Sequence, residues 1–146
     1  MMTISTKGRY GLRLVLDLAA HKEDGYISLK SVAERQNVSK KYLEQIVPVY
    51  TAAGILRTVR GPQGGYMLAD DPRSYTVGDV LRLTEGELTP VPCAGQDPVE
   101  CDRCESCMTF FIWKGLNQVI SDYLDGMTIQ DVLDQYSGEV GINYVI

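Results

Sequence analysis

The chain has 146 residues, 45% of them hydrophobic, which is enough apolar side chain for one compact core with an added arm. No apolar run approaches the roughly 18 residues that a membrane-spanning helix needs, and Arg13 and Asp17 interrupt the first apolar stretch, which argues against a signal peptide and sets the cytoplasm as the expected compartment. The net charge of −5 disfavours a polyanionic partner only until its distribution is read: residues 1–68 carry ten Lys and Arg against five Asp and Glu, and residues 69–146 carry four against fourteen, so the first half alone can follow a phosphate backbone.

Residues 6–21 read as a helix, with Leu12, Val15, Leu16 and Ala19 on its inner face and Leu18 at the flank. A polar break precedes a short second helix over residues 28–37, capped by Ser28, with Leu29, Val32 and Ala33 inward. Asn37 suits the turn that follows, and Ser39 caps a third helix from Lys40 to about Ala53, ended by Gly54. Its inner face is Leu43, Ile46, Val47 and Tyr50; its outer face is Lys40, Lys41, Glu44 and Gln45. Pro48 removes one backbone hydrogen bond and is expected to bend this helix after its first two turns. Residues 55–59 and 66–69 form a hairpin around the loop Gly61-Pro62-Gln63-Gly64-Gly65.

A further short helix over residues 76–84 is capped by Thr76 and carries Val80, Leu81 and Leu83. Residues 85–105 have no periodicity and are expected to be a long loop, which in a compact protein is usually functional. A long helix over residues 106–124 carries one stripe of Phe110, Trp113, Leu116, Asn117, Ile120 and Leu124, broadened by Phe111, Val119 and Tyr123. Thr128 caps a last short helix through Leu133, and residues 138–146 have no regular pattern. The fold class is therefore mainly α with a small β-hairpin. The expected organisation is a DNA-binding domain over residues 1–84, a cysteine-rich sensor loop over 85–105, a dimerisation helix and short terminal helix over 106–135, and a tail over 136–146.

Two short helices joined by a tight turn and followed by a glycine-tipped hairpin make a winged helix-turn-helix, whose second helix enters the DNA major groove. Its outward groups are Ser39, Lys41, Tyr42, Glu44 and Gln45. The hydroxyls of Ser39 and Tyr42 and the ammonium of Lys41 suit phosphate oxygens. Glu44 can accept from cytosine N4, and Gln45 can pair with adenine N6 and N7. Arg57 and Arg60 flank the wing tip at Gly61, placed to reach a minor groove.

The stretch Val38-Ser39-Lys40-Lys41-Tyr42-Leu43-Glu44-Gln45-Ile46 and the wing Val59-Arg60-Gly61-Pro62-Gln63-Gly64-Gly65-Tyr66-Met67-Leu68-Ala69 resemble the two signature stretches of the Rrf2 family of bacterial transcription regulators. The opening Thr6-Lys7-Gly8-Arg9-Tyr10, the helix around Trp113 and the segment Thr128-Ile129-Gln130-Asp131-Val132-Leu133 extend the resemblance over roughly residues 3–135. It implies a DNA-binding repressor rather than an enzyme, with Arg9 among the DNA contacts. It also implies a homodimer with crossed C-terminal helices, reading a pseudo-palindromic double-stranded operator. A thiol or metal enzyme is disfavoured by a single His and by the absence of a base near the cysteines.

All four cysteines fall in one segment: Cys93, Cys101, Cys104 and Cys107. Thiolates at such spacing suit an iron–sulfur cluster or zinc; thiols that act by oxidation, or that bind nothing, are the other readings. Iron–sulfur members of the family hold a 2Fe-2S cluster with three loop cysteines and a His three residues after the last; here that position is Phe110, so the extra cysteine would have to complete the set. The chain ends Gly141-Ile142-Asn143-Tyr144-Val145-Ile146. This apolar end, above all Tyr144, Val145 and Ile146, resembles the isoleucine-terminated tail by which serine acetyltransferases plug cysteine synthase (O-acetylserine sulfhydrylase). That enzyme is therefore an expected partner, and an interaction module working through the tail without specific DNA binding is the alternative function.

Overall fold

The computed structural model describes residues 3–95, 103 and 105–145, with side chains described as far as Gly138. Its helices are α1 (Thr6–Ala20), α2 (Leu29–Gln36), α3 (Lys40–Ala52), α4 (Val77–Glu85), α5 (Phe110–Asp125) and α6 (Ile129–Val145). Strands β1 (Leu56–Val59) and β2 (Gly65–Leu68) lie between α3 and α4 and pair antiparallel, with Leu56 opposite Leu68 and Val59 opposite Gly65. No helix among the described residues is long and apolar enough to cross a membrane.

Side-chain caps set most helix starts, because the first backbone N–H groups of a helix have no partner within it. Ser28 Oγ accepts from Ser31 N at 3.2 Å and Ser39 Oγ from Tyr42 N at 3.3 Å. Thr76 with Asp79, and Thr128 with Asp131, form reciprocal boxes in which each side chain satisfies the other residue's backbone N–H. Asn37 leaves α2 in the left-handed conformation (φ 53°, ψ 49°), which its short polar side chain tolerates.

The core is centred on α1. Leu14, Val15 and Leu18 are fully buried against Val32 of α2, Leu43, Ile46 and Tyr50 of α3, Val80 of α4 and Ile129 of α6. The inner face expected from sequence is thus rotated: Leu18 is central rather than flanking, and Leu12 and Leu16 are only half-buried. The reason is that α1 has partners on several sides, so no single stripe describes it. Close approach requires Gly11, since a Cβ there would stand 2.0 Å from the hydroxyl of the buried Tyr50 ring.

Three further expectations change. The long loop contains a 3-10 turn, Pro92–Gly95, packed on α5. Helix α5 begins at Phe110 rather than near residue 106, because residues before it close tighter turns, such as Ser106 N to Arg103 O at 3.1 Å. The last helix is long instead of stopping at Leu133: α6 continues to Val145. The Thr128–Asp131 box starts it, contact with α1 supports its first turns, and Gly138 and Gly141 weaken a helix without breaking it.

Candidate nucleic-acid interface

Helices α2 and α3 and the wing present one basic face. Ser39, Lys41, Glu44 and Gln45 are exposed on the first turns of α3, while Tyr42 is half-buried. The Ser39 hydroxyl oxygen is already used as the helix cap, which leaves its O–H as a donor for a phosphate. Tyr42 meets the ring of Tyr10 edge-on, with centroids 5.5 Å apart. Glu44 lies 3.8 Å from Lys40 in an exposed i,i+4 pair, an association weak enough in water to be exchanged for a base edge. Helix α3 runs through Pro48, which is exposed on the side away from the core.

The hairpin is tied to the helical body as well as to itself. Ile27, just before α2, exchanges backbone hydrogen bonds with Tyr66 of β2 at 2.9 and 2.8 Å. This clamp sets the wing beside the starts of α2 and α3. At the tip, Gly61 has φ +111°, a conformation that side-chain-bearing residues rarely adopt. Arg57 and Arg60 are both exposed, Arg57 on β1 opposite Met67 and Arg60 at the tip. Arg9 is exposed on α1, donating to Thr6 Oγ1 at 3.1 Å.

Two cations not singled out from sequence as DNA contacts, Lys30 and Lys40, join the site through tertiary structure. With Ser28, Thr58, Arg60 and Gly61 they line a groove between the wing and the helix starts. Three cations and the capped start of α2 around one groove suit a phosphate. In sequence Lys30 is an ordinary exposed residue on a short helix; only the docked wing relates it to Arg60.

Behind this face α2 is held by a carboxylate that reads from sequence only as a charge in an apolar stretch. The Asp17 side chain is 1% exposed. It accepts from Arg35 Nη2 at 2.7 Å, from Arg35 Nε at 3.0 Å and from Gln36 Nε2 at 3.0 Å. Hydrogen bonding to this carboxylate holds the Arg35 guanidinium above its ordinary pKa. Gln36 in turn accepts from Arg13 through both its side-chain and backbone oxygens.

Of the four cysteines, Cys93 and Cys107 are among the described residues. Cys93 sits half-buried in the 3-10 turn, which is tied to α5 by Asn117 Nδ2 donating to Ala94 O at 3.2 Å. Cys107 is exposed three residues before α5, its Sγ 3.4 Å from Thr109 Oγ1. Hydrogen bonding to Thr109 holds its thiol below the usual range, favouring the thiolate that a soft metal requires. Cys101 and Cys104 lie outside the described residues. No group of three or more His, Cys, Asp or Glu gathers among the described residues. Among the described residues Asn117 Oδ1 is buried without a hydrogen-bond partner. The described residues thus supply two thiols, Cys93 and Cys107, and the Phe110 position offers no ligand. At the other end of the chain, Tyr144 and Val145 belong to the backbone of α6, and Ile146 lies outside the described residues.

Comparison with known proteins agrees with this arrangement. The family model Rrf2, described as an iron-dependent transcriptional regulator, matches residues 4–135. The HTH-type transcriptional regulator CymR of Bacillus subtilis is 36% identical over 139 residues, covering 94% of each chain. The HTH-type transcriptional regulator IscR of Yersinia enterocolitica is 33% identical over 133 residues, 91% of this chain and 80% of its own. The solved structure of T. potens IscR superposes with a TM-score of 0.75 at 40% identity, covering 92% of this chain and 88% of that one.

Proposed function

Since the chain belongs to the Rrf2 family of helix-turn-helix transcriptional regulators, and is a DNA-binding protein rather than an enzyme, we propose that it is a cytoplasmic homodimeric repressor whose operator affinity follows the state of its cysteine loop. The observation that supports the operator-binding half is the groove between the wing and the starts of α2 and α3, in which Lys30, Lys40 and Arg60 meet. Ser39, Tyr42, Lys41, Lys30, Lys40 and Arg9 position the protein on phosphates. Glu44 and Gln45 read base edges in the major groove, and Arg57 and Arg60 enter the minor groove beside Gly61. Selection from a random duplex pool should enrich one pseudo-palindromic sequence. Arg60→Ala should then weaken binding to it about tenfold, and Gln45→Ala should remove about 1–3 kcal/mol of preference at one base pair per half-site. A pool that shows no enrichment would favour the interaction module acting through the C-terminal end.

For the sensor, Cys93, Cys101, Cys104 and Cys107 would hold an iron–sulfur cluster, supported by the lowered thiol of Cys107 and by the iron-dependent family. Bound there, the group would supply redox sensitivity to a segment packed against α5. What the chain's own residues do is favour the thiolate of Cys107, through Thr109, and tie the Pro92–Gly95 turn to α5 through Asn117. Protein purified without oxygen should be coloured and contain iron and sulfide near stoichiometry, both lost in Cys107→Ser. Colourless, iron-free protein instead leaves zinc or oxidation of Cys107 as the signal. It would also move the regulon towards sulfur supply, as in the B. subtilis CymR described as a global cysteine regulator. In that second reading cysteine synthase is the partner, and Tyr144, Val145 and Ile146 must leave the helical path of α6 to enter an active site.

A further inference from the structure

We propose that the cleft between α1, α2 and α6 is a binding site for a small amphipathic carboxylate, whose presence is transmitted to the recognition helix. The cleft has a volume of about 390 Å³, within the range of small-molecule sites, which runs from about 300 to 1,000 Å³. Its two walls differ in chemistry. One is apolar: Leu16 and Ala20 of α1, and Val132, Leu133 and Tyr136 of α6. The other is Arg13, Asp17, Arg35 and Gln36, with His21 at the edge.

Charge on the polar wall does not cancel. Asp17 is matched by Arg35, which binds it through Nε and Nη2. Arg13 donates only to the neutral oxygens of Gln36, and among the described residues it has no carboxylate within ion-pair distance. The Nη1 groups of Arg13 and Arg35 make no hydrogen bond among the described residues, which leaves donors for an anion. A surplus cation beside an apolar wall suits a carboxylate with a short hydrocarbon body. A polyanion would be poorly served, since the same wall holds the Asp17 carboxylate.

Two physical connections lead out of the cleft. Arg13 lies over the ring of Tyr10, 5.4 Å from its centroid, and that ring meets Tyr42 of α3 edge-on. Gln36 is the last residue of α2, immediately before the Asn37 turn into α3. An occupant drawing Arg13 towards itself would bear on both the Tyr10–Tyr42 contact and the turn. The same occupant would touch α6, which follows α5 directly, so it lies between the reading unit and the C-terminal arm. Binding in the cleft stands independently of the operator-binding role; only its transmission rests on that role.

The full-length protein should be titrated with hexanoate and with 1-hexanol, which share an apolar body and differ in charge, by calorimetry and by thermal unfolding. The proposal expects saturable hexanoate binding that raises the unfolding temperature, with 1-hexanol at least tenfold weaker. Arg13→Gln should reduce hexanoate affinity at least tenfold and bring the two ligands level. Ala20→Trp fills the cleft from a position exposed on α1, so it should fold normally and lose both. Hexanoate binding that is absent, or unchanged in Ala20→Trp, overturns the site. Operator titration with and without hexanoate reads the second half. A wild-type affinity that shifts at least threefold, with no shift in Ala20→Trp, supports transmission; operator binding indifferent to hexanoate that does occupy the cleft overturns transmission alone. A protein that binds hexanoate but no operator condemns the regulator reading and leaves the site standing.

Discussion

Val119→Glu combined with Tyr123→Glu is expected to convert the protein from dimer to monomer in sedimentation velocity and to reduce operator affinity by about 10²- to 10⁴-fold, the scale of the gain from linking two half-site contacts. Helix α5 buries none of its residues fully in one protomer. Phe111 is 72% exposed, Val119 64% and Tyr123 67%, and Met108 just before the helix is 88% exposed. Ile112, Leu116, Val119 and Tyr123 fall at alternating steps of four and three residues, the spacing of a helix–helix seam. An apolar strip of this length left in water marks an association surface. In the proposed homodimer a second copy covers this strip with its own, and two copies would place two wings on a two-fold operator. Circular dichroism and the unfolding temperature should show the helical content retained. A dimer that survives both charges would place the subunit contact elsewhere.

Asp17→Ala should destabilise the protein by about 3 kcal/mol, read from urea unfolding with the slope unchanged. Removing one partner of a buried ion pair costs about 3–5 kcal/mol. The low end applies here because Arg35, with a side chain 36% exposed, can recover water when its carboxylate is gone. The Gln36 amide loses an acceptor as well, so of the polar links between α1 and α2 only the Arg13–Gln36 hydrogen bonds remain. Operator affinity should fall with stability, since α2 positions the turn into α3. Asp17→Asn keeps shape and an acceptor, and should fall between wild type and Ala. A cost below about 1 kcal/mol for Asp17→Ala would mean that apolar packing of Val32 alone seats α2.

The C-terminal region separates what pattern reveals from what it does not. The stripe on α5 was legible as apolar surface, but its division was not. Phe110, Trp113, Ile120 and Leu124 are half-buried within the protomer, and the flanking set of Phe111, Val119 and Tyr123 is left outside. A helix apolar on more than one side has no single stripe to read. Similarly, α6 contains two glycines, which lower local helix preference. Contact of Ile129 with the core, where it is fully buried, gives its first turns a reason to form that no local window contains.

By itself the sequence determined the reading head. Ser28, Asn37 and Ser39 define the two helices and their turn through hydrogen bonds and dihedral preferences acting within three or four residues. Gly61 marks the wing tip for the same local reason. The excess of basic residues before position 69 marks the half proposed to face DNA, since charge is carried by the residues themselves. Tertiary structure alone decided that Lys30 and Lys40 share a groove with Arg60, that Asp17 is the tether of α2, and that Arg13 lies in a cleft roofed by α6. Those relations join residues distant along the chain, and they exist only once the whole core has closed, because each depends on where helices dock rather than on what any one of them prefers.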